Sequence, residues 1–281
     1  MAKCDVCHNQ CQLNDGDRGI CSARIGEGGT VRCANYGLIT AIALDPIEKK
    51  PLSLFHPGSY ILSVGCYGCN LRCPFCQNND ISYGFGREYE GGTRYISPAE
   101  LAQIAKEYQL RGNIGVAFTY NEPLVGYEYV VDTAEEVHRK GLKTVLVSNG
   151  NVSGSIADIV IPHIDAMNID LKGFTDDYYT KFLKGSRKLV MDFIEKAAGN
   201  SHLELTTLIV PGYNDTEEEM RELSEWVADL DGGRGAETIA LHITRYFPRF
   251  KLDVPATKVD LIMRLTEVAG EALKHVFPGN V

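Results

Sequence analysis

Tyr60-Ile61-Leu62-Ser63-Val64-Gly65-Cys66-Tyr67-Gly68-Cys69-Asn70-Leu71-Arg72-Cys73-Pro74-Phe75-Cys76 is an apolar run that ends in four cysteines within eleven residues. The run at 60–65 reads as a strand buried on both faces. Five further apolar runs follow at 114–119, 143–148, 166–171, 203–210 and 239–243. Helical patterns separate them. Ser97-Pro98-Ala99-Glu100 is a capping box with Pro at the first helical position. Leu101, Ile104, Ala105 and Tyr108 then recur at helical spacing, and Gly112 stops the helix. Asp215 and Glu218 form a second box ahead of Met220, Leu223, Val227 and Leu230, and Val259, Ile262, Leu265, Ala269 and Leu273 stripe a last helix. Alternating strands and helices predict right-handed βαβ units and a parallel sheet. Too few residues follow position 59 for the roughly 250 of a full eight-stranded barrel. The fold expected is therefore α/β, a partial TIM-like (β/α)6 barrel at 60–281, with a small Cys-rich module at 1–59.

Composition narrows the function. The 281 residues are 44% hydrophobic and 23% charged, values of a globular chain. A net charge of −9 argues against a nucleic-acid partner. The polar start Met1-Ala2-Lys3-Cys4-Asp5 lacks a secretory apolar segment, and no run has the ~18 apolar residues of a membrane span. A cytoplasmic, non-membrane protein is expected. All nine cysteines lie between positions 4 and 76. In a reducing compartment such clustered thiols are metal or cluster ligands rather than disulfides.

The cysteines form two sets and a singleton. Cys66-x2-Cys69-x3-Cys73-x2-Cys76 is too tight for a zinc ribbon, which separates its pairs by ~15–20 residues. It suits an iron–sulfur cluster, with one thiolate per iron. Three thiolates, Cys69, Cys73 and Cys76, would leave one iron of a [4Fe-4S] cluster open to the amino and carboxylate groups of S-adenosylmethionine (SAM). A structural zinc, or a closed cluster that also takes Cys66, is the alternative. Cys4-x2-Cys7-x3-Cys11-x9-Cys21 is a second candidate site, for zinc or for another [4Fe-4S] cluster. Its module has few large apolar residues and would gain from a metal staple. His8 is a weaker ligand candidate, and Cys33 reads as a small buried hydrophobe.

Barrel enzymes gather their chemistry at the C-terminal strand ends. Here those ends carry, in order, the cysteine loop, Thr119-Tyr120-Asn121-Glu122-Pro123, Ser148-Asn149-Gly150, Asp170-Leu171-Lys172, Val210-Pro211-Gly212-Tyr213-Asn214-Asp215 and His242. Each has a plain structural reading. Glu122 can start a helix, Asn149-Gly150 can be a turn, Asp170 and Lys172 can pair, and His242 can be a core histidine. Together, six polar strand ends would surround one cavity.

The stretch from Val64 to Asn78 resembles the signature of radical SAM enzymes of the pyruvate formate-lyase activating type. It looks closest to the radical SAM component of the AmmeMemoRadiSam system. Asp45-Pro46-Ile47-Glu48-Lys49-Lys50-Pro51-Leu52, Tyr120-Asn121-Glu122-Pro123, residues 165–172 and Pro278-Gly279-Asn280-Val281 share the likeness, as does the N-terminal four-cysteine module. The resemblance implies a [4Fe-4S] cluster on Cys69, Cys73 and Cys76 and reductive cleavage of SAM to a 5′-deoxyadenosyl radical. It implies Phe75 by the adenine, Tyr120, Asn121 and Glu122 at the methionine amino group, and Ser148, Asn168, Asp170 and Lys172 around ribose and carboxylate. His242 would lie near the methionine end. An electron donor of flavodoxin or ferredoxin type is implied, with room for a protein substrate. The rival readings are a glycyl-radical-enzyme activase, a non-catalytic iron–sulfur electron carrier and a zinc-binding scaffold.

Overall fold

The computed structural model describes residues 1–83 and 92–281. Its centre is an eight-stranded sheet of β1 (Ala41–Pro46), β2 (Tyr60–Gly65), β3 (Asn113–Phe118), β4 (Lys143–Ser148), β5 (Ala166–Asp170), β6 (His202–Ile209), β7 (Ala240–Arg245) and β8 (His275–Gly279). Strands neighbouring in the chain are neighbours in the sheet, which is open. All pairs from β2 to β8 are parallel. Only β1 runs antiparallel, with Ala41 opposite Gly65 and Pro46 opposite Tyr60. The six strands expected are β2 to β7. The two edges are additions, and both carry a proline, Pro46 and Pro278. Proline cannot donate to a ladder and is tolerated at edges, which is why these segments did not read as strands.

Helices α1 (Pro98–Glu107), α2 (Tyr127–Arg139), α3 (Gly154–Val160), α4 (Arg187–Ala197), α5 (Glu217–Gly233) and α6 (Val259–Ala269) connect the parallel strands. The α1 cap is as expected, with Glu100 N donating to Ser97 Oγ at 3.3 Å. Gly112 takes the left-handed φ of 84° that ends the following turn. The α5 cap is one residue later than expected: Thr216, not Asp215, accepts from Glu219 N at 3.2 Å. Asp215 instead closes the preceding turn, accepting from Gly212 N at 2.9 Å. Buried Leu101, Val130, Val137, Ile194, Leu223 and Leu265 belong to one core with the sheet residues Val116, Leu146 and Leu205.

A second apolar cluster lies on the other sheet face. Ile61, Ala117, Val145 and Ala166 come from β2 to β5, and Ile47 and Leu52 pack on them. The segment 47–55 is therefore a plug rather than a linker. Polar contacts fix it: Ser53 N and Leu54 N donate to the Glu204 carboxylate at 2.9 and 2.8 Å. Asn168 Nδ2 donates to the Pro51 carbonyl at 2.8 Å. Before β1, Arg24–Glu27 and Thr30–Cys33 form a hairpin and Ala2–Lys3 pairs with Gln12–Leu13. Cys4 and Val6 join the main core.

Candidate active site

β2 delivers the chain into the cysteine loop at its C-terminal end. The loop is held by its neighbours. Asn121 Oδ1 accepts from Cys66 N at 3.1 Å, Asn121 Nδ2 donates to Gly68 O at 3.0 Å, and Thr40 Oγ1 donates to Cys66 O at 2.6 Å. Burial raises the Cys69 thiol well above its ordinary value, and negative charge at Glu122 and Cys73 adds to this. Burial likewise pushes Cys73 up to about 11, against the pull of the Lys172 ammonium. Cys66 is pushed up to about 12 by burial. Thiolates are the ligand form, so loading such a site releases protons. Asn149 Nδ2 lies 3.7 Å from Cys69 Sγ and 3.0 Å from Asn70 Oδ1. The Asn149-Gly150 turn thus aims an amide at one sulfur, as ligand-supporting groups do.

After β3, Glu122 is buried, 2% exposed. Its Oε1 accepts from Leu124 N at 3.0 Å and Ser148 Oγ at 2.7 Å, and its Oε2 from Asn149 N at 2.8 Å. A carboxylate has about four acceptor sites, so one remains. Burial nonetheless holds its carboxyl up at about 7 despite these three donors. After β5, Lys172 Nζ donates to Asp170 Oδ2 at 2.8 Å. Burial opposes the Lys172 ammonium, but Asp170 and Cys73 hold its pKa above the ordinary lysine value. Phe75 is buried between Phe182 and Tyr246, with ring centroids at 5.9 and 6.4 Å.

Other expected site residues have structural partners. Tyr120 takes a positive φ of 73° and donates its hydroxyl to Asp45 Oδ2 at 2.9 Å. Lys50 Nζ meets the same carboxylate oxygen at 2.9 Å. Asn168 holds Pro51 and accepts from Thr206 Oγ1 at 2.8 Å. His242 Nε2 meets Glu204 Oε2 at 2.7 Å. Glu204 also meets His202 Nε2 at 2.9 Å. Glu204, Asp45 and Asn70 are not among the site or support residues expected from the sequence. A lone Glu among the apolar residues of β6 was the available signal.

The N-terminal cysteines Cys4, Cys7 and Cys21 are buried and Cys11 is half-buried. Burial raises the Cys7 thiol most, with Cys4 and Cys11 adding to it, and pushes Cys21 up to about 11 with Cys7 and Cys4 adding. Cys7 therefore lies within electrostatic range of the other three thiols. Among the described residues no three His, Cys, Asp or Glu side chains gather as one metal ion would require. A four-iron cluster makes no such demand, because each thiolate meets its own iron. The donor chemistry of both cysteine sets fits such a cluster. A cavity of about 580 Å³ lies elsewhere, at the N-terminal strand ends beside His138, Asp165, Ser201 and His202. No helix among the described residues is long and apolar enough to cross a membrane.

Comparison with known proteins adds a family match, two relatives and two solved structures. Residues 64–227 match the Radical SAM superfamily. The protein MJ0808 of Methanocaldococcus jannaschii is 36% identical over 99% of this chain and 81% of its own. The pyruvate formate-lyase-activating enzyme of Clostridium pasteurianum is 27% identical over 62% of this chain and 72% of its own. Among solved structures, a domain of the pyruvate-formate lyase-activating enzyme of Bacteroides vulgatus gives a TM-score of 0.51 at 18% identity, covering 59% of this chain and 99% of that one. Streptococcus suis SuiB bound to SAM gives 0.57 at 13% identity, covering 76% and 48%. These two likenesses are of fold.

Proposed function

The chain belongs to the radical SAM superfamily, and from that premise we propose that it cleaves SAM reductively and abstracts hydrogen from a substrate. The observation that carries the reading is the meeting of Cys69 and Cys73 with Glu122 and the Asp170–Lys172 pair at the C-terminal ends of β2, β3 and β5. Cys69, Cys73 and Cys76 would hold the [4Fe-4S] cluster that the family implies. When bound, that cluster and SAM supply a one-electron reduction that yields the 5′-deoxyadenosyl radical.

The chain's own residues do the rest. The open acceptor site of Glu122 takes the methionine ammonium, which would return the carboxyl to its ionised form. Lys172 faces the methionine carboxylate, and Asp170 accepts from a ribose hydroxyl. Phe75 walls the adenine. Ser148 and Asn149 fix the Glu122 carboxylate, while Tyr120 and Asn121 hold the cysteine loop. Asn168 holds the plug directly and His242 holds it through Glu204. Within residues 1–59, the Cys-rich part before β1 would carry its own metal, on Cys4, Cys7, Cys11 and Cys21, while β1 and the plug at 47–55 belong with the barrel core of 60–281. A flavodoxin- or ferredoxin-type protein supplies the electron. The printed activity of the Clostridium pasteurianum relative favours, as a second reading, activation of a glycyl-radical enzyme.

Anaerobically reconstituted, dithionite-reduced protein tests this. Formation of 5′-deoxyadenosine and methionine from SAM is expected. Iron-loaded protein that binds SAM but yields neither product would defeat the reading.

A further inference from the structure

The N-terminal cysteines are not remote from the core loop. Asn9 Nδ2 lies 3.7 Å from Cys7 Sγ and donates to Asn70 O at 3.1 Å. One nitrogen thus touches both the Cys7 sulfur and the residue next to Cys69. Asn70 continues the chain of contacts, because its Oδ1 accepts from Asn149 Nδ2 at 3.0 Å and that same nitrogen lies 3.7 Å from Cys69 Sγ. A second contact closes the gap from the other side. Gly68 has φ of 96°, and a Cβ there would come within 2.4 Å of the Cys21 carbonyl oxygen. Any side chain at 68 would push Cys21 away from the loop.

Docking of the module extends along this seam. Cys7 bridges Val152, Ser153 N donates to Val6 O at 2.9 Å, and His8 Nε2 meets Lys184 O at 2.8 Å. The Arg72 guanidinium donates both to Ile20 O and to Cys69 O. A zinc staple for a small module would gain nothing from contact with a redox loop. A cluster one residue's width from that loop lies well inside the range over which electrons tunnel between protein-bound centres.

We infer that Cys4, Cys7, Cys11 and Cys21 hold a second [4Fe-4S] cluster that relays electrons to the cluster on Cys69, Cys73 and Cys76, with Asn9, Asn70 and Asn149 as the bridge. This rests on the core-cluster reading above and adds a direction of electron flow to it. A low-potential one-electron donor of the flavodoxin or ferredoxin class reduces the N-terminal cluster by one electron. That cluster returns to its oxidised state as the core cluster gains the electron, and no bond forms or breaks in the transfer.

The test uses the full-length, anaerobically reconstituted protein. Wild type should carry about eight irons and no zinc, as two four-iron clusters require. Fully reduced wild type should give an EPR spectrum broadened by magnetic interaction between two reduced centres. Cys21→Ser and, independently, Cys4→Ser should each hold about four irons and show one isolated signal that still shifts when SAM is added. Reduction of the core cluster by reduced flavodoxin, followed by freeze-quench EPR, should slow at least tenfold in these variants. Asn9→Leu should keep both clusters and slow the same step. Zinc in wild type, two non-interacting signals, or an unchanged flavodoxin-driven rate in the four-iron variants would each overturn the relay. Loss of the SAM-responsive signal from wild type would instead defeat the core-cluster reading, so the two failures are distinguishable.

Discussion

The C-terminal and N-terminal ends of the parallel strands use buried charge in opposite ways. At the N-terminal end, Asp165 meets Lys143 Nζ at 2.8 Å, Thr144 N at 2.9 Å and His138 Nε2 at 2.9 Å. Those donors outweigh burial and hold its carboxyl at about 2. Glu204 is similarly supplied, by two imidazoles and two backbone amides, and is also held at about 2. At the C-terminal end, Glu122 remains at about 7 with three donors already in place. A carboxylate whose donors outweigh burial is a structural element, whereas one that burial still holds near neutrality in a polar cluster is a candidate ligand site. A cavity of about 580 Å³ lies at the well-supplied end, so volume and chemistry part company in this molecule.

The sharpest way to break this comparison is at the cysteines. Cys73→Ser should lose the core cluster and abolish SAM cleavage, measured as 5′-deoxyadenosine formed by dithionite-reduced protein. Cys66→Ser should retain it. The reverse pattern would move the ligand set and weaken the case for the C-terminal end.

Next in size is Glu204. Its side chain is fully buried, with His202, His242, Ser53 N and Leu54 N as partners. Glu204→Ala strips these buried partners and should cost about 3–5 kcal/mol in urea unfolding. Burial opposes the Glu204 carboxylate, but its partners hold its pKa at about 2, below the ordinary 4.5. The carboxylate therefore stabilises the fold fully above about pH 4.5, and that contribution fades as pH falls towards 2. Glu204→Gln should flatten this part of the stability–pH curve. An unchanged curve would mean that the plug is not held by this charge.

SAM affinity comes third. Lys172→Met and Glu122→Gln should keep iron and colour, yet bind SAM roughly 10- to 100-fold more weakly, as loss of ~1.5–3 kcal/mol from a charged hydrogen bond implies. Glu122 adds a pH signature. In the unloaded chain its carboxyl loses its proton near 7, so wild-type affinity should rise from pH 6 to 8. Glu122→Gln should lack that rise. Titration by equilibrium dialysis at three pH values would show it, and equal affinity in both variants and wild type would remove these residues from the pocket.

Much of this arrangement was legible in the sequence because it rests on local signals. The apolar runs located β2 to β7 to within two residues, and Ser97 and Gly112 marked the ends of α1 and its following turn. The cysteine loop and the polar residues after β3, β4 and β5 fall at the C-terminal rim of the sheet, where the strand boundaries place them. Illegible features depend on contacts distant in sequence. The plug at 47–55 reads as a Pro-bounded loop until Glu204, some 150 residues later, is seen accepting its amides. β1 is a half-exposed edge with Ile42 44% exposed, so it lacks the continuous apolar pattern of its neighbours. Asn149 read as a turn residue because nothing local says that its amide reaches Cys69.

The smallest expected effect is a null result at the large cavity, and it tests the comparison most directly. Asn200 lines that cavity, is exposed, and donates its side-chain amide to the Lys196 carbonyl at 2.8 Å. Asn200→Ala removes one exposed hydrogen bond at a helix end. Such a change costs within about 0.5 kcal/mol, since water replaces the lost partner. If chemistry is confined to the undersupplied end, SAM affinity and the yield of 5′-deoxyadenosine should both stay within twofold of wild type, a factor worth about 0.4 kcal/mol. A tenfold fall in either, with unchanged thermal stability, would mean that the N-terminal cavity communicates with the reaction. The division between a structural end and a reactive end would then have to be given up.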